Sequence, residues 1–142
     1  MKKVALAVAV LISSTGAFAG CTKPDLVGTW ASYSDGNMGG GVNYCNFTVL
    51  KDGSLKVGSS CDSEMMAMGG GSEPITGKLT IDAECHVKGS VSQISSGSNP
   101  EGFFVSEIDA YLSKGKDSLT GIKSSNLPPS SMKRLFVATK TK

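Results

Sequence analysis

The sequence predicts an all-β fold, either a single antiparallel up-and-down barrel of about eight strands or a two-sheet sandwich of the same strands. Three observations lead there. Short segments alternate apolar and polar residues with a period of two, and none keeps the 3.6-residue period of an amphipathic helix over a useful length. The connections between them are mostly hairpin-sized and rich in turn-forming residues. The chain has 142 residues, 18 of them Gly and 6% aromatic, enough for one small core and too short for a large enzyme. Sequential strands joined in this way close into barrels or pack as sandwiches.

The first segment is a leader rather than a strand. Met1–Lys3 is short and basic, Val4–Ile12 is an unbroken apolar run, and Ser13–Gly20 is small and weakly polar. That is the plan of a secretory signal peptide, with an apolar run too short to span a bilayer. Ala17-Phe18-Ala19 suits cleavage after Ala19, giving a signal peptide over 1–19 and a single domain over 20–142. Ala17-Phe18-Ala19-Gly20-Cys21 also resembles a bacterial lipoprotein box, with cleavage after Gly20 and Cys21 as the lipidated first residue. Phe18 stands where that box usually has Leu, and both routes stay open.

The strands then follow in order. Leu26–Tyr33 is the first. Val42–Leu50 and Leu55–Cys61 form a hairpin around Asp52-Gly53. Ile75–Ile81 places Ile75, Gly77, Leu79 and Ile81 on one face, and Asp82-Ala83-Glu84 turns it into Cys85–Ile94. Phe103–Leu112 groups Phe104, Ile108, Ala110 and Leu112, and Lys114–Asp117 turns it into Leu119–Lys123. After Asn126–Pro129, Arg134–Thr139 closes the chain. Three longer glycine- or serine-rich stretches, Ser34–Gly41, Asp62–Glu73 and Ser95–Gly102, read as loops, where binding usually resides on such scaffolds.

Four cysteines in an exported chain suggest two disulfides. A three-residue loop at Asp52–Ser54 sets Cys45 against Cys61, Phe47 against Ser59 and Val49 against Val57. A two-residue loop shifts the register by one and sets Phe47 against Gly58. The first register keeps like faces together and pairs Cys45 with Cys61, which leaves Cys21 with Cys85 by parity. Topology agrees, because strands one and five of an up-and-down barrel begin at the same end. Lipidation of Cys21 would instead strand one thiol.

Charge excludes some partners. The count is 14 Lys plus Arg against 12 Asp plus Glu, but Lys2 and Lys3 belong to the leader, so the remainder is balanced. A neutral domain has no electrostatic footprint for nucleic acid, and a membrane enters only through a lipid on Cys21.

Leu26-Val27-Gly28-Thr29-Trp30 resembles the Gly-x-Trp opening strand of the calycins, the lipocalin and avidin group. That resemblance implies a small barrel in which Trp30 closes one end under an Arg from the last strand, here Arg134, the only Arg. The layout Gly28-x-Trp30, then Cys45 and Cys61, is also similar to bacterial metalloprotease-inhibitor barrels, over roughly the first 40 residues after the leader. Those carry a disulfide between neighbouring strands and block a protease with their N-terminal segment. Cys21 and Cys85 have no counterpart there, and Gly20–Asp25 is a short tail for such insertion.

No catalytic constellation emerges. His86 is the only histidine, and strand alternation turns it away from Cys85. Glu107 and Asp109 share a face and could serve as the paired carboxylates of a glycosidase, but they share it with Tyr111 and alternate with Ile108 and Ala110, as expected of a wet barrel exterior. The clusters Gly39–Gly41 and Gly69–Gly71 lack the following Lys-Ser/Thr of a phosphate loop. Met65, Met66 and Met68, with Met38 in another loop, are soft thioethers that suit Cu(I), or adaptable apolar contacts, or a plain cover for one mouth. No cofactor is called for.

The expectation is therefore a non-enzymatic binding protein of the bacterial envelope, periplasmic or secreted. Its loops Ser34–Gly41 and Asp62–Glu73 would hold a small ligand or a partner protein. The alternatives are an inhibitor or immunity-type protein acting on a protease or wall hydrolase, and a structural outer-membrane lipoprotein. The barrel interior is expected to hold Phe47, Val49, Val57, Leu79, Ile81 and Val91.

Overall fold

A computed structural model describes residues 20–35, 42–63, 72–94, 103–125 and 133–141. Alternation decides which side of each strand is buried. In β2 (Val42–Val49) every second residue, Asn43, Cys45, Phe47 and Val49, is buried. A short helix, α1 (Lys23–Leu26), precedes β1 (Gly28–Asp35). Then come β3 (Ser60–Ser63), β4 (Glu73–Ile81), β5 (His86–Ile94), β6 (Phe103–Leu112), β7 (Ser118–Ser125) and β8 (Lys133–Lys140). Each strand pairs antiparallel with the next, and β8 pairs back onto β1, so the sheet closes as an eight-strand up-and-down barrel rather than a sandwich. Among the described strands, closure leaves none at an edge.

The interior is filled from one end. Leu26, Trp30, Val49, Val87, Leu119 and Ala138 are almost wholly shielded and form its base, with Phe47, Leu79, Ile108 and Phe136 above them. Ile81 and Val91 pack against this cluster while only partly buried. Gly121 lets β6 and β7 approach closely, since a Cβ there would lie 2.2 Å from the Asp109 carbonyl oxygen.

The hairpin departs from the expected register above the cysteines. Cys45 is opposite Cys61 as expected, and the two are disulfide-bonded. Val49, however, bridges to Leu55, not to Val57. Val57 and Gly58 are looped out of the ladder, and Val57 is 96% exposed, so it is no part of the core. Gly58 has φ +95°, a backbone state that glycine adopts without steric cost. Around it Ser59 N–H donates to the Lys56 carbonyl, while the Ser59 hydroxyl accepts from Thr48 N–H and so takes over a ladder bond. Because two residues are looped out, the inward face keeps its parity and Leu55 is buried in place of Val57. The third strand is thus split, with Ser54 and Leu55 pairing beside the turn and β3 starting only at Ser60.

The end where β1 begins is sealed. Thr22, Asp25 and Pro24 build α1: the Asp25 carboxylate accepts from Thr22 N–H and hydroxyl at 2.7 and 3.0 Å. Cys21 is bonded to Cys85 in the β4–β5 turn, and its N–H donates to the Ala83 carbonyl. A sulfur in that bond cannot also carry a thioether-linked lipid. Cys85 has φ +66° and precedes β5 rather than opening it. Trp30 is fully buried, and its Nε1–H donates to the Leu26 carbonyl at 2.9 Å. The cation over the indole is Lys140, 5.0 Å from the ring centroid, and not Arg134. The reason is antiparallel direction: β8 ends where β1 begins, so Trp30 pairs with Lys140 while Arg134 lies at the far end. Lys140 Nζ also donates to the Asp25 carbonyl, and Lys116 Nζ reaches the Asp25 carboxylate at 2.9 Å.

These contacts carry a pH dependence. The Lys116 and Thr22 hydrogen bonds hold Asp25 below the usual carboxylate range, and Ser54, His86 and Ser113 do the same for Asp52, Asp109 and Asp117. A group whose pKa is depressed by folding contributes stability that is present above its unfolded value and lost as pH falls through the folded one. Thermal midpoints are therefore expected to hold steady down to about pH 4 and to fall below it. Asp25→Asn should lower the midpoint at pH 7 and converge on the parent chain near pH 2.5. A constant gap at both pH values would show that Asp25 acts without its charge.

Candidate functional site

The two ends of the barrel differ in how they are built. At the sealed end the connections are tight: Leu50–Ser54, Asp82–Cys85 and Ser113–Asp117, each closed by its own hydrogen bonds. At the other end β1 leads to β2, β3 to β4, β5 to β6 and β7 to β8, through residues 36–41, 64–71, 95–102 and 126–132. All the long connections thus leave from one mouth. The loops expected at Ser34–Gly41, Asp62–Glu73 and Ser95–Gly102 belong to this end, and topology adds 126–132. Strand structure reaches further into those stretches than expected, since β1 runs through Asp35, β3 covers Asp62 and Ser63, and β4 starts at Glu73. Met38, Met65, Met66 and Met68 lie outside the described residues, and so does the Cu(I) reading that rests on them.

The interior turns polar toward this mouth. Ser32, Ser34, Asn43, Glu73 and Ser106 are buried polar residues, all on the inward parity of their strands. Gln93 Nε2 donates to the Glu73 carboxylate between the adjacent strands β5 and β4. On the opposite wall the β7–β8 register sets Lys123 directly against Arg134. Lys123 shares its face with buried Leu119, while its neighbour Ile122 points outward. Burial, and after it the Arg134 guanidinium, hold the Lys123 ammonium below the usual lysine range. The mouth therefore has an acidic wall, already hydrogen-bonded, and a basic wall.

Beneath these groups lies a cavity of about 30 Å³, between Phe47, Leu79, Ile108 and Phe136 below and Ser34, Gln93, Ser106 and Lys123 above. That is room for about one water molecule. The Cys45–Cys61 disulfide forms part of its wall. The interior of the barrel is packed around this small space.

The residues weighed for catalysis lie elsewhere. His86 is on the outer surface near the sealed end, stacked on Tyr111 with ring centroids 4.5 Å apart, and its Nε2 meets Asp109 Oδ1 at 2.5 Å. Its Nδ1 faces Asp82 at 3.9 Å. Both ring nitrogens are thus turned to carboxylates, while Cys85 is consumed by its disulfide, so this cluster presents no activated thiol. Glu107 and Asp109 are exposed on the same outer face of β6. Among the described residues no group of three His, Cys, Asp or Glu is placed to hold a metal ion.

Sequence reasoning missed the polar mouth. The signal was present in the alternation itself: Leu119, Gly121 and Lys123 share one parity, as do Glu73, Ile75 and Leu79. Assigning the apolar members inward assigns Lys123 and Glu73 inward as well. No protein-family model, curated protein or solved structure matches this chain.

Proposed function

We propose that this chain is an exported, non-catalytic binding protein of the bacterial cell envelope, which takes a small ligand at the mouth of a calycin-like barrel. The observation that carries the reading is the asymmetry of the ends. One end is closed by α1, Trp30, Lys140 and the Cys21–Cys85 bond, and the strands joined by the long connections end at the other, where the interior is polar and charged. Binding sites sit on loops held by rigid scaffolds. The leader over 1–19 and the two disulfides fit an oxidising compartment outside the cytoplasm. Inhibition by insertion of the N-terminal segment is less well supported, because Cys21 to Leu26 is folded against the sealed end by the disulfide and the Asp25 contacts.

The test is the native mass of the protein released from the envelope of cells expressing the full chain. The reading expects Gly20–Lys142 less four hydrogens, carrying a non-covalent small-molecule adduct. A chain starting at lipid-modified Cys21, or an adduct-free chain that inhibits an envelope hydrolase at equal concentration, overturns it.

A further inference from the structure

We propose that the corner of the sealed end formed by α1 and the split hairpin is a docking surface for an anionic lipid membrane. This docking does not depend on what the mouth binds. The disulfide at Cys21 leaves no sulfur for a lipid anchor, so contact with a bilayer falls to the folded surface. Two apolar side chains project here from turns rather than strands: Val57 is 96% exposed and Leu50 41% exposed. Each has an exposed lysine as its chain neighbour, Lys56 and Lys51. Apolar tips flanked by cations suit an interface of anionic headgroups, because burial of the tip and attraction of the ammonium act together.

The local backbone holds these tips in place. Lys56 N–H donates to the Thr48 carbonyl at 2.8 Å, and the Ser59 hydroxyl donates to the Lys56 carbonyl at 2.7 Å. With Gly58 in its positive-φ state, these bonds keep Val57 out in solvent. On the outer face beside it, a hollow of about 240 Å³ runs between Thr29, Thr48 and the Lys56–Ser59 loop. A second, of about 470 Å³, lies between Pro24, Val27 and Lys51. The register sets Gly28 against Val49 and Thr29 against Thr48, which brings Val27 beside Leu50 and joins the two hollows.

Charge decides the occupant. Exposed Lys23 precedes Pro24 on α1, so Lys23, Lys51 and Lys56 border the hollows, and none has an ion-pair partner among the described residues. The nearby carboxylates are turned elsewhere: Asp52 accepts from Ser54 N–H and hydroxyl, and Asp25 takes Lys116. The balanced count over residues 20–142 conceals this local excess. A second copy related by a two-fold axis would set lysine against lysine. A folded partner would need a pocket matched to each tip, whereas a fluid leaflet accepts both. Because the corner belongs to the sealed end, a docked barrel keeps its mouth clear of the bilayer.

The test is sedimentation of the oxidised mature chain with lipid vesicles. The chain should pellet with vesicles of phosphatidylglycerol and phosphatidylcholine in equal parts, and stay in solution with phosphatidylcholine alone. Most of that binding should be lost in about 0.5 M salt. Val57→Ser should weaken the partition about tenfold and leave the thermal midpoint in buffer unchanged, because the side chain touches little of the fold. Lys51→Gln and Lys56→Gln should each weaken it about fivefold. Lys88→Gln, an exposed position on the outer face of β5, removes a charge away from the corner and should leave the partition unchanged. No pelleting, equal pelleting with both kinds of vesicle, full binding by Val57→Ser, or an equal loss in Lys88→Gln overturns the proposal. So does a dimer that forms without vesicles and is lost in Val57→Ser, which would give the corner to a second copy.

Discussion

Replacing Cys21 and Cys85 together by Ala is expected to lower stability by about 4 kcal/mol, and replacing Cys45 and Cys61 by about 3 kcal/mol. The ordering follows from chain entropy. The first bond joins residues 64 apart and the second residues 16 apart, and a longer closed loop removes more freedom from the unfolded chain. Native structure adds to the difference. Cys45 and Cys61 are already held opposite each other by the β2–β3 ladder, whereas Cys21 lies before the first strand and is otherwise tied to the β4–β5 turn by one long backbone hydrogen bond. Without the first bond, α1 keeps the Asp25 contacts but loses its anchor, and Leu26 is the buried residue that then loosens. Urea unfolding of the two double variants under oxidising conditions decides the matter. A larger loss for the Cys45–Cys61 pair would show that the sulfur packing within the barrel outweighs loop length.

The two disulfides were legible because strand parity and cysteine count constrain each other. Once Cys45 faces Cys61, only Cys21 and Cys85 remain, and topology brings them to one end. The barrel was legible for a similar reason, since period-two alternation and short connections recur along the chain. What failed was local. Val57 is apolar and on the correct parity, so pattern alone places it in the core. The Gly58 turn ejects it, and a hydroxyl from Ser59 repairs the ladder, which no periodicity reports. The identity of the cation over Trp30 failed on direction: a last-strand base was the right class, but antiparallel pairing selects the residue at the strand's end, Lys140, over the one at its beginning. The polar mouth was overlooked for a third reason. Glu73 reads as the end of the loop Asp62–Glu73 and Lys123 as the end of a strand, although parity with Ile75 and Leu119 turns both inward.

Trp30→Ala is expected to cost about 4 kcal/mol, because a fully buried indole leaves a void that a closed barrel base cannot collapse to fill. Trp30→Phe separates the contributions. It keeps an aromatic ring under Lys140 but leaves the Leu26 carbonyl without its Nε1–H donor, and should cost about 1–2 kcal/mol. Lys140→Met should cost about 1 kcal/mol and shift the emission of this single tryptophan, whereas Arg134→Met should leave the emission unchanged. If Arg134→Met moves the emission and Lys140→Met does not, the direction of β8 over the barrel base is wrong. The same comparison bears on how the two ends work together. Trp30, Lys140 and α1 close the base with apolar burial and a satisfied hydrogen bond, and none of them lines the cavity that Lys123, Ser34 and Ser106 line toward the mouth.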